Sequence, residues 1–525
     1  MPYAGFLRGI SGGLLVWTTA IFVMVALAIL VPFLGKEALA TMFVDDAFYY
    51  FQVARNVASG RGFTFDGLHA TNGFQPLWLF LLVAVFKFVP GDVWPLRVVS
   101  LVEAGLIAAA AAGIFRILRG RIRTGPALVA AISIVALPGS PSVFRTGMES
   151  SLLLCLFVFV WERWLHLSEA GEPSRRACLG LGLLSGLAFL ARIEAIVLVL
   201  AVLILGVRRW RADFKSLVAL FTPPVLTLAS YVAWSGLEFG TMLPISGMVK
   251  THWAGQESLA SRLRWGLDPP WIDQTLVCRL FGEAALLDCP RVALALYGSL
   301  VVLALAIGWC FRETLRVVVR QSGAGFVFLA SALMVVADKL SVHYLETWYQ
   351  GPIMLSIAVL AGSLLSRWRR LTRLAVAMVV LVAVARIPMT AWRIHDPAAY
   401  YAYYRIQAAD WVRENTTASD RFGSWNAGTF GYFSHRVVVN LDGLVNDVDY
   451  FSRVIERNDL EGYLRSERIT WLADQACGAD PRPTGYLAQT ESEHLDAEFD
   501  LVAHFFRAAA DDGCPGYAVW RRRRP

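Results

Sequence analysis

Long apolar segments alternate with short polar loops over the first 393 residues of the chain. A helix that crosses a bilayer needs about 20 mostly apolar residues, and residues 14–34 form the first segment of that length. The later segments occupy residues 95–118, 126–140, 151–166, 177–191, 193–207, 216–236, 291–311, 323–340, 350–366 and 371–392. The pattern predicts an α-helical polytopic membrane protein with about eleven membrane-spanning helices.

The composition is that of a membrane protein rather than a soluble one. Hydrophobic residues make up 56% of the 525 residues and charged residues 17%, with a mean hydropathy of +0.52. Soluble domains average about 45–50% hydrophobic residues and about 25% charged residues. Much of the net charge of +7 comes from basic residues in the short loops. Such residues set membrane orientation, so the charge does not predict a nucleic-acid partner.

Clusters of Arg and Lys in the short loops orient the chain, because such loops remain in the cytoplasm. The basic loops are 116–123, 175–176, 208–215, 312–320 and 367–373. Placing them all in the cytoplasm requires the short apolar run Phe74–Val89 to lie on or dip into the outer face. We therefore predict a cytoplasmic N-terminus and external loops at about 35–94 and about 237–290, with the C-terminus also external.

The first apolar segment has two interpretations. Ala38-Leu39-Ala40 after it matches the small-residue cleavage site of a signal peptide. A signal-peptide core is only about 7–15 residues long, however. The length of the segment therefore favours an uncleaved first span.

From residue 394 onward the chain is polar and mixed, as expected of a domain outside the membrane. Ala402–Glu414 predicts an amphipathic helix and Val437–Asn440 a strand. About 130 residues suffice for one α/β domain with its own core. We therefore predict a transmembrane catalytic domain at 1–393 and an extracytoplasmic α/β domain at 394–525.

The seven cysteines fall into two groups. Cys155, Cys178 and Cys310 lie in apolar segments, where inert packing is expected. The other four lie in polar segments placed outside the cytoplasm, where disulfides persist. They allow the two pairs Cys278–Cys289 and Cys477–Cys514.

Two adjacent carboxylates, Asp45 and Asp46, follow the first apolar segment at the predicted outer surface. The apolar residues after them keep helical spacing as far as Ala58, which predicts an amphipathic helix along the interface. Residues 60–67 predict a turn and a short hairpin. The acidic pair can act as a general base or hold a metal ion. A helix N-cap explains it equally well, since Asp favours that position.

These residues and several later motifs resemble the GT-C superfamily of membrane glycosyltransferases. The superfamily includes protein mannosyltransferases, the aminoarabinose transferase of lipid A and actinobacterial arabinofuranosyltransferases. The specific part is the run Asp45–Trp78 in the first external loop. Further matching motifs are Thr146–Glu149, Ala191–Glu194, Leu243–Gly247 with Lys250, and Trp348-Tyr349. The C-terminal runs Gly423–Gly428 and Asn440–Gly443 are similar to external domains of such enzymes, and the layout is closest to the arabinofuranosyltransferase branch.

The resemblance implies an inverting glycosyltransferase of the bacterial inner membrane that takes a sugar from a polyprenyl-phosphate donor. The acceptor would be an envelope glycan, lipid or protein on the extracytoplasmic side, and membrane lipid is the remaining partner. The sequence contains neither a P-loop nor a dinucleotide fingerprint, in keeping with a donor that is not a nucleotide. Two alternatives are a non-catalytic transporter of lipid-linked glycan and another extracytoplasmic envelope transferase.

The resemblance assigns catalysis to the acidic pair. Asp45, its first member, is expected to take the proton of the acceptor hydroxyl, with Asp46 as the second choice. In the alternative, the pair and Glu149 hold a divalent metal, Mg²⁺ or Mn²⁺, for which carboxylates are suitable ligands. No other cofactor is expected.

Basic residues are expected to hold the donor phosphate: first Arg192 and Lys250, then Arg145 and Lys339. The alternative for Arg192 is an internal ion pair with Glu194, and Lys250 could instead extend to the interface. The residues expected to contact substrate are polar or aromatic ones in the matching motifs and external loops: Glu149, Glu194, Tyr49, Asn72, Gln75, His252, His343, Trp348 and Tyr349. An interfacial aromatic belt explains the last two equally well.

Overall fold

The computed structural model of the chain describes residues 31–136, 143–170, 174–256, 312–341, 346–395, 400–476, 495–506 and 516–523. Up to residue 395 the described elements are helical. They are α1 (Lys36–Ala40), α2 (Asp45–Ala58), α3 (Pro76–Phe88), α4 (Trp94–Arg119), α5 (Thr124–Ala136), α6 (Ser150–Glu169), α7 (Arg175–Ala191), α8 (Ile196–Trp210), α9 (Phe214–Phe239), α10 (Ile245–Gly255), α11 (Arg312–Ser322), α12 (Gly325–Ser341), α13 (Gly351–Leu365) and α14 (Arg369–His395). Short 3-10 turns occupy Val31–Phe33, Ile193–Ala195 and Thr347–Gln350.

Local sequence signals explain where several of these helices begin and end. Pro76, Pro95 and Pro352 stand in the first turn of α3, α4 and α13, where a missing N–H leaves no hydrogen bond unmade. The Asp213 side chain caps α9 by accepting a hydrogen bond from the Ser216 N–H. Gly240 ends the same helix with a φ of 72°, a left-handed conformation that glycine adopts without strain.

Four described helical segments have the length and hydropathy to cross a membrane: Trp94–Arg119, Ser150–Glu169, Phe214–Phe239 and Thr347–Leu365. Helices also form, where described, in the predicted segments 126–140, 177–191, 193–207, 323–340 and 371–392. The chain is therefore a multi-pass membrane protein by its apolar helices. The count of about eleven spans and their orientation stay predictions, because residues 1–30 and 257–311 lie outside the described residues.

Helix α2 is a helix as predicted, but it lacks the exposed polar face of an amphipathic surface helix. Its place along the membrane interface stays a prediction. Its residues from Ala47 to Ala54 are all buried, so both of its faces are covered. The reason is that the C-terminal region packs on the face that the amphipathic pattern assigns to solvent. Phe48 lies there with its ring centroid 5.5 Å from that of Tyr432 and 5.8 Å from that of Phe433.

Helix α3 has 13 residues. At 1.5 Å per residue it is about 20 Å long, too short for the roughly 30 Å apolar core of a bilayer. This agrees with the prediction that the apolar run Phe74–Val89 does not span the membrane.

The C-terminal region is a mixed sheet with helices. Its elements are α15 (Tyr401–Asn415), β1 (Arg421–Ser424), α16 (Gly428–Ser434), β2 (Val437–Asn440), α17 (Val448–Tyr450), α18 (Leu460–Ser466), β3 (Trp471–Gln475), α19 (Leu495–Glu498), β4 (Phe499–Phe506) and β5 (Gly516–Arg522), with a π-helical turn at Phe451–Ile455. The strand order is β2-β1-β3-β5-β4. β1 runs parallel to β2 and β3, while β5 is antiparallel to β3 and β4. The predicted helix and strand of this region are both confirmed.

Glycines let α7 and α9 approach closely within the membrane part. A Cβ atom on Gly182 would lie 2.3 Å from the carbonyl oxygen of Leu220, and one on Gly186 would lie 2.8 Å from the Thr227 hydroxyl oxygen. Gly180, on the same helix, has nothing within 4 Å of that position. Close packing therefore depends on Gly182 and Gly186 but not on Gly180.

We predict that Gly182→Ala lowers the free energy of unfolding by about 1–3 kcal/mol, because the new methyl group meets backbone that cannot move aside. Gly180→Ala is the matched control and should be neutral or stabilising by up to about 1 kcal/mol, as expected for alanine in a helix. Denaturant titration of both variants in mixed micelles measures the difference. Equal effects at the two positions would contradict the packing described here.

Candidate functional site

A cavity of about 540 Å³ lies where the membrane part meets the C-terminal region. The membrane part supplies residues from α2, from the loop before α3, and from the start of α6. It also supplies the 3-10 turns at 193–195 and 347–350 and the first turns of α10. The lining is completed by three residues of the C-terminal region: Leu444, Phe451 and Glu456.

Asp46 and Lys250 both line this cavity and are half-buried. No hydrogen bond joins the Asp46 carboxylate to another described residue. Burial raises the pKa of Asp46, and the neighbouring Asp45 charge raises it further, while the positive charge of Lys250 lowers it. The Lys250 ammonium donates to the Tyr349 hydroxyl at 3.3 Å. The cavity thus contains a carboxylate that is more basic than usual, close to an ammonium group.

Asp45 faces away from the cavity, although it is adjacent to Asp46 in sequence. Its carboxylate accepts hydrogen bonds from the Gly428 N–H at 3.1 Å, the Thr429 N–H at 2.9 Å and the Thr429 hydroxyl at 2.7 Å. The Arg405 guanidinium lies 3.0 Å from the same carboxylate. The structure therefore places the residue expected to be the base in contact with the C-terminal region, and Asp46 in the cavity.

Arg192 is 2% exposed and is enclosed by acidic and aromatic groups. Its guanidinium nitrogens lie 3.7 Å from Glu149 and 3.5 Å from Glu194, and it donates to the Trp348 carbonyl oxygen at 3.2 Å. The guanidinium carbon also lies 3.7 Å from the centroid of the Tyr349 ring. Arg192 does not line the cavity, and the ion-pair alternative for it matches this geometry.

Tyr349 separates the two cations that were expected to share the phosphate. The Arg192 guanidinium lies on its ring, and the Lys250 ammonium lies 5.5 Å from the ring centroid as well as near the hydroxyl. Trp348 and Tyr349 both line the cavity and are buried. Lys250 is therefore the basic residue among the expected four that reaches the cavity.

Asn72 and Gln75 hold loops of the site together. Asn72 is 2% exposed, donates to Ser235 and to the Leu243 carbonyl, and accepts from the Ile245 N–H that begins α10. Gln75 lines the cavity, accepts from the Ile193 N–H at 2.9 Å and donates to Glu194 at 3.5 Å. Asn72 thus positions Lys250 through α10, whereas Gln75 also reaches the cavity.

The other expected residues divide into lining and non-lining groups. Lining the cavity are Tyr49, Glu149, Glu194 and His252. Arg145 and Lys339 do not line it. Arg145 has a buried Nη2 atom without a hydrogen-bond partner among the described residues and interacts electrostatically with Glu103. His343 and the four cysteines of the predicted disulfides, Cys278, Cys289, Cys477 and Cys514, lie outside the described residues. Cys155 and Cys178 are buried free thiols, as expected.

Several residues that line the cavity or contact its lining were not anticipated from the sequence. Tyr50 donates to Glu149 at 3.2 Å and accepts from the Gln75 N–H at 3.0 Å. Tyr49 donates to Asp442 at 2.5 Å, and burial raises the pKa of Asp442 to about 8. Leu444, Phe451 and Glu456 come from the C-terminal region, and only the resemblance at Asn440–Gly443 pointed near them.

The donor set does not fit a metal bound by Asp45, Asp46 and Glu149. The Asp45 oxygens already accept three hydrogen bonds, and Glu149 accepts from Tyr50 and pairs with Arg192. Within the described ranges there is no group of three His, Cys, Asp or Glu side chains that could hold a metal ion.

Comparison with known proteins shows a fold likeness but no family. Residues 393–520 match a domain of unknown function (DUF8728), and no curated protein matches the chain. The structure of ArnT from Cupriavidus metallidurans bound to undecaprenyl phosphate is similar, with a TM-score of 0.54 and 12% identity over 96% of this chain and 98% of that one. Its apo structure matches with a TM-score of 0.53 and 13% identity over the same shares.

An oligosaccharyltransferase of Archaeoglobus fulgidus, in complex with Zn and sulfate, matches more weakly. Its TM-score is 0.43 at 14% identity, over 88% of this chain and 68% of that one. At that TM-score the likeness says nothing about the site. The ArnT structures match over nearly the whole of both chains, so this protein has an ArnT-like fold.

We predict that Arg192→Met lowers the free energy of unfolding by about 3–5 kcal/mol, because the buried Glu149 and the half-buried Glu194 lose their partner. The matched control is Arg116→Met, since Arg116 pairs with Glu162 at 2.6 Å but is 51% exposed. That change should cost about 0–1 kcal/mol. Unfolding in mixed micelles measures both. A negligible effect of Arg192→Met would show that the guanidinium of the parent protein is not required for stability and is available for a ligand.

Proposed function

We propose that the chain is a membrane glycosyltransferase that moves a sugar from a polyprenyl-phosphate donor to an acceptor hydroxyl, with Asp46 as the general base. The observation that carries the proposal is the cavity in which Asp46 and Lys250 lie together within an ArnT-like fold. The ArnT structure that contains undecaprenyl phosphate supports a polyprenyl phosphate as the sugar carrier. The sugar and the acceptor are left open.

The proposed reaction needs one proton acceptor. The acceptor oxygen attacks the anomeric carbon, the bond from that carbon to the phosphate oxygen breaks, and the proton of the hydroxyl passes to Asp46. Attack from the face opposite the phosphate inverts the anomeric carbon. The raised pKa of Asp46 makes its carboxylate a better base than an exposed one.

Lys250 is proposed to bind the donor phosphate and stabilise the charge that the leaving phosphate gains. It lies on α10, whose first residues Ser246 and Gly247 also line the cavity. An ammonium on a flexible stem can follow the phosphate as the bond breaks. Arg192 has a supporting role in this proposal: it fixes Tyr349, which accepts a hydrogen bond from Lys250.

Glu194 and Gln75 are proposed to contact the sugar. Both line the cavity, and a half-buried carboxylate and amide can form hydrogen bonds with sugar hydroxyls. The C-terminal residues Phe451 and Glu456 complete the lining on the other side. We propose that the acceptor contacts these residues and His252, whose ring packs edge-to-face on that of Phe451 with the centroids 6.2 Å apart.

We predict that Asp46→Asn reduces the rate of sugar transfer by about 10²–10⁴-fold, the usual loss when a general base is removed. The matched control is Asp449→Asn, because Asp449 is 66% exposed and does not line the cavity. Transfer from synthetic polyprenyl-phosphate sugars by the purified protein measures the rate. Full activity of Asp46→Asn would show that another group takes the proton.

We predict that the transfer rate of the parent protein falls as the pH is lowered, because Asp46 must be ionised to act. The fall should occur above the ordinary carboxyl pKa of about 4, since burial raises the pKa of Asp46. Lys250→Met should move the fall to still higher pH, because the positive charge that lowers the Asp46 pKa is lost. It should also raise the KM for the donor.

The pH dependence of kcat, measured for the parent protein and both lysine variants, provides the check. Lys87→Met is the control because Lys87 is exposed and outside the cavity. A shift to lower pH in Lys250→Met would contradict the electrostatic coupling between Lys250 and Asp46.

A further inference from the structure

In open α/β sheets, ligands commonly bind at the carboxyl ends of the parallel strands. Here β1 lies between β2 and β3, parallel to both. Asp474 at the end of β3 shapes the loop after β1, accepting from the Trp425 N–H at 3.1 Å and the Asn426 side chain at 3.3 Å.

Helix α2 of the membrane part packs against the residues that follow the carboxyl end of β1. The Tyr49 hydroxyl donates to the Trp425 carbonyl oxygen at 3.1 Å, and the Asp45 carboxylate accepts from Gly428 and Thr429. A carboxylate with several donors, one of them the charged Arg405, is held in one orientation. The approach is close, because a Cβ atom on Gly428 would lie 2.1 Å from the Asp45 carbonyl oxygen.

We propose that Asp45 is a positioning residue: its carboxylate fixes α2 against the C-terminal region and thereby directs Asp46 into the cavity. Asp45, Arg405, Gly428 and Thr429 together form what we call the Asp45 anchor. The role of Asp46 in this inference rests on the proposed function, but the existence of the anchor does not. The C-terminal region thus holds, at the carboxyl end of β1, the helix that carries the proposed base.

Two variants distinguish a positioning role of Asp45 from a role as the general base. Asp45→Asn removes the charge that Arg405 and the two N–H groups bind. Gly428→Ala leaves the Asp45 carboxylate intact but forces the loop away from α2. Both should lower kcat on the order of 10–100-fold with little change in KM, because the base is displaced while the binding groups remain. Asp410→Asn is the control, since Asp410 pairs with Lys36 across the same two parts but is 37% exposed.

Hydrogen exchange of residues 425–430 reports the anchor without any substrate. In Asp45→Asn and Gly428→Ala the amides of Gly428 and Thr429 should exchange on the order of 10–100-fold faster, as expected when hydrogen bonds to a charged group are lost. The control should exchange at the parent rate.

The pH profile gives a readout that a purely structural role would not move. The groups that interact electrostatically with Asp46 are Asp45, Tyr49, Lys250, Glu346, Arg405 and Asp442. Asp45→Asn removes a negative charge and leaves Arg405 unpaired, and both changes lower the pKa of Asp46. The acid limb of kcat should therefore move to lower pH in Asp45→Asn and stay in place in Gly428→Ala.

Two results would overturn the inference. Unchanged exchange and unchanged kcat in Asp45→Asn would show that no anchor exists. Loss of activity at every pH in Asp45→Asn, with a fully active Gly428→Ala, would show that Asp45 is itself the base. If Asp46→Asn retains full activity, Asp46 is not the general base and the proposed function is wrong on that point. The hydrogen-exchange measurement still tests whether the anchor exists.

Discussion

The arrangement of the site depends on the burial of helix α2 between the membrane part and the C-terminal region. Neighbouring residues on an α-helix point about 100° apart, so the adjacent carboxylates of Asp45 and Asp46 can face different surroundings. Once both sides of α2 are covered, one carboxylate of the acidic pair contacts the C-terminal loop and the other opens into the cavity. Their chemical difference follows from this geometry, because the two residues are otherwise identical.

The helices could be predicted from hydropathy because each contains an apolar segment many residues long. The boundaries of α4, α6 and α9 agree with the predicted segments to within a few residues. The environment of α2 could not be predicted in this way. Its amphipathic pattern is satisfied equally by a membrane surface and by a packed domain such as the one that carries Tyr432 and Phe433, which contact Phe48 across nearly 400 residues of sequence.

The candidate site shows the same division. The acidic pair, Lys250 and the Trp348-Tyr349 motif were all identified from the sequence, and the structure brings Asp46, Lys250, Trp348 and Tyr349 to one cavity. The contacts of Arg192 with Glu149 and Tyr349 could not be predicted, because these two residues are distant from it in sequence and only the fold brings them together. The sequence shows which charged residues are present, but which of them form ion pairs depends on tertiary contacts.

The long separation between the two halves of the cavity has a consequence for biogenesis. Asp45 and Gly428 are 383 residues apart, so at about 5–20 residues per second a ribosome needs roughly 20–80 seconds to make the second after the first. During that interval the nascent membrane helices exist without the polypeptide that closes over them. In a chain that is still being translated, the cavity therefore stays incomplete until the C-terminal sheet has been made.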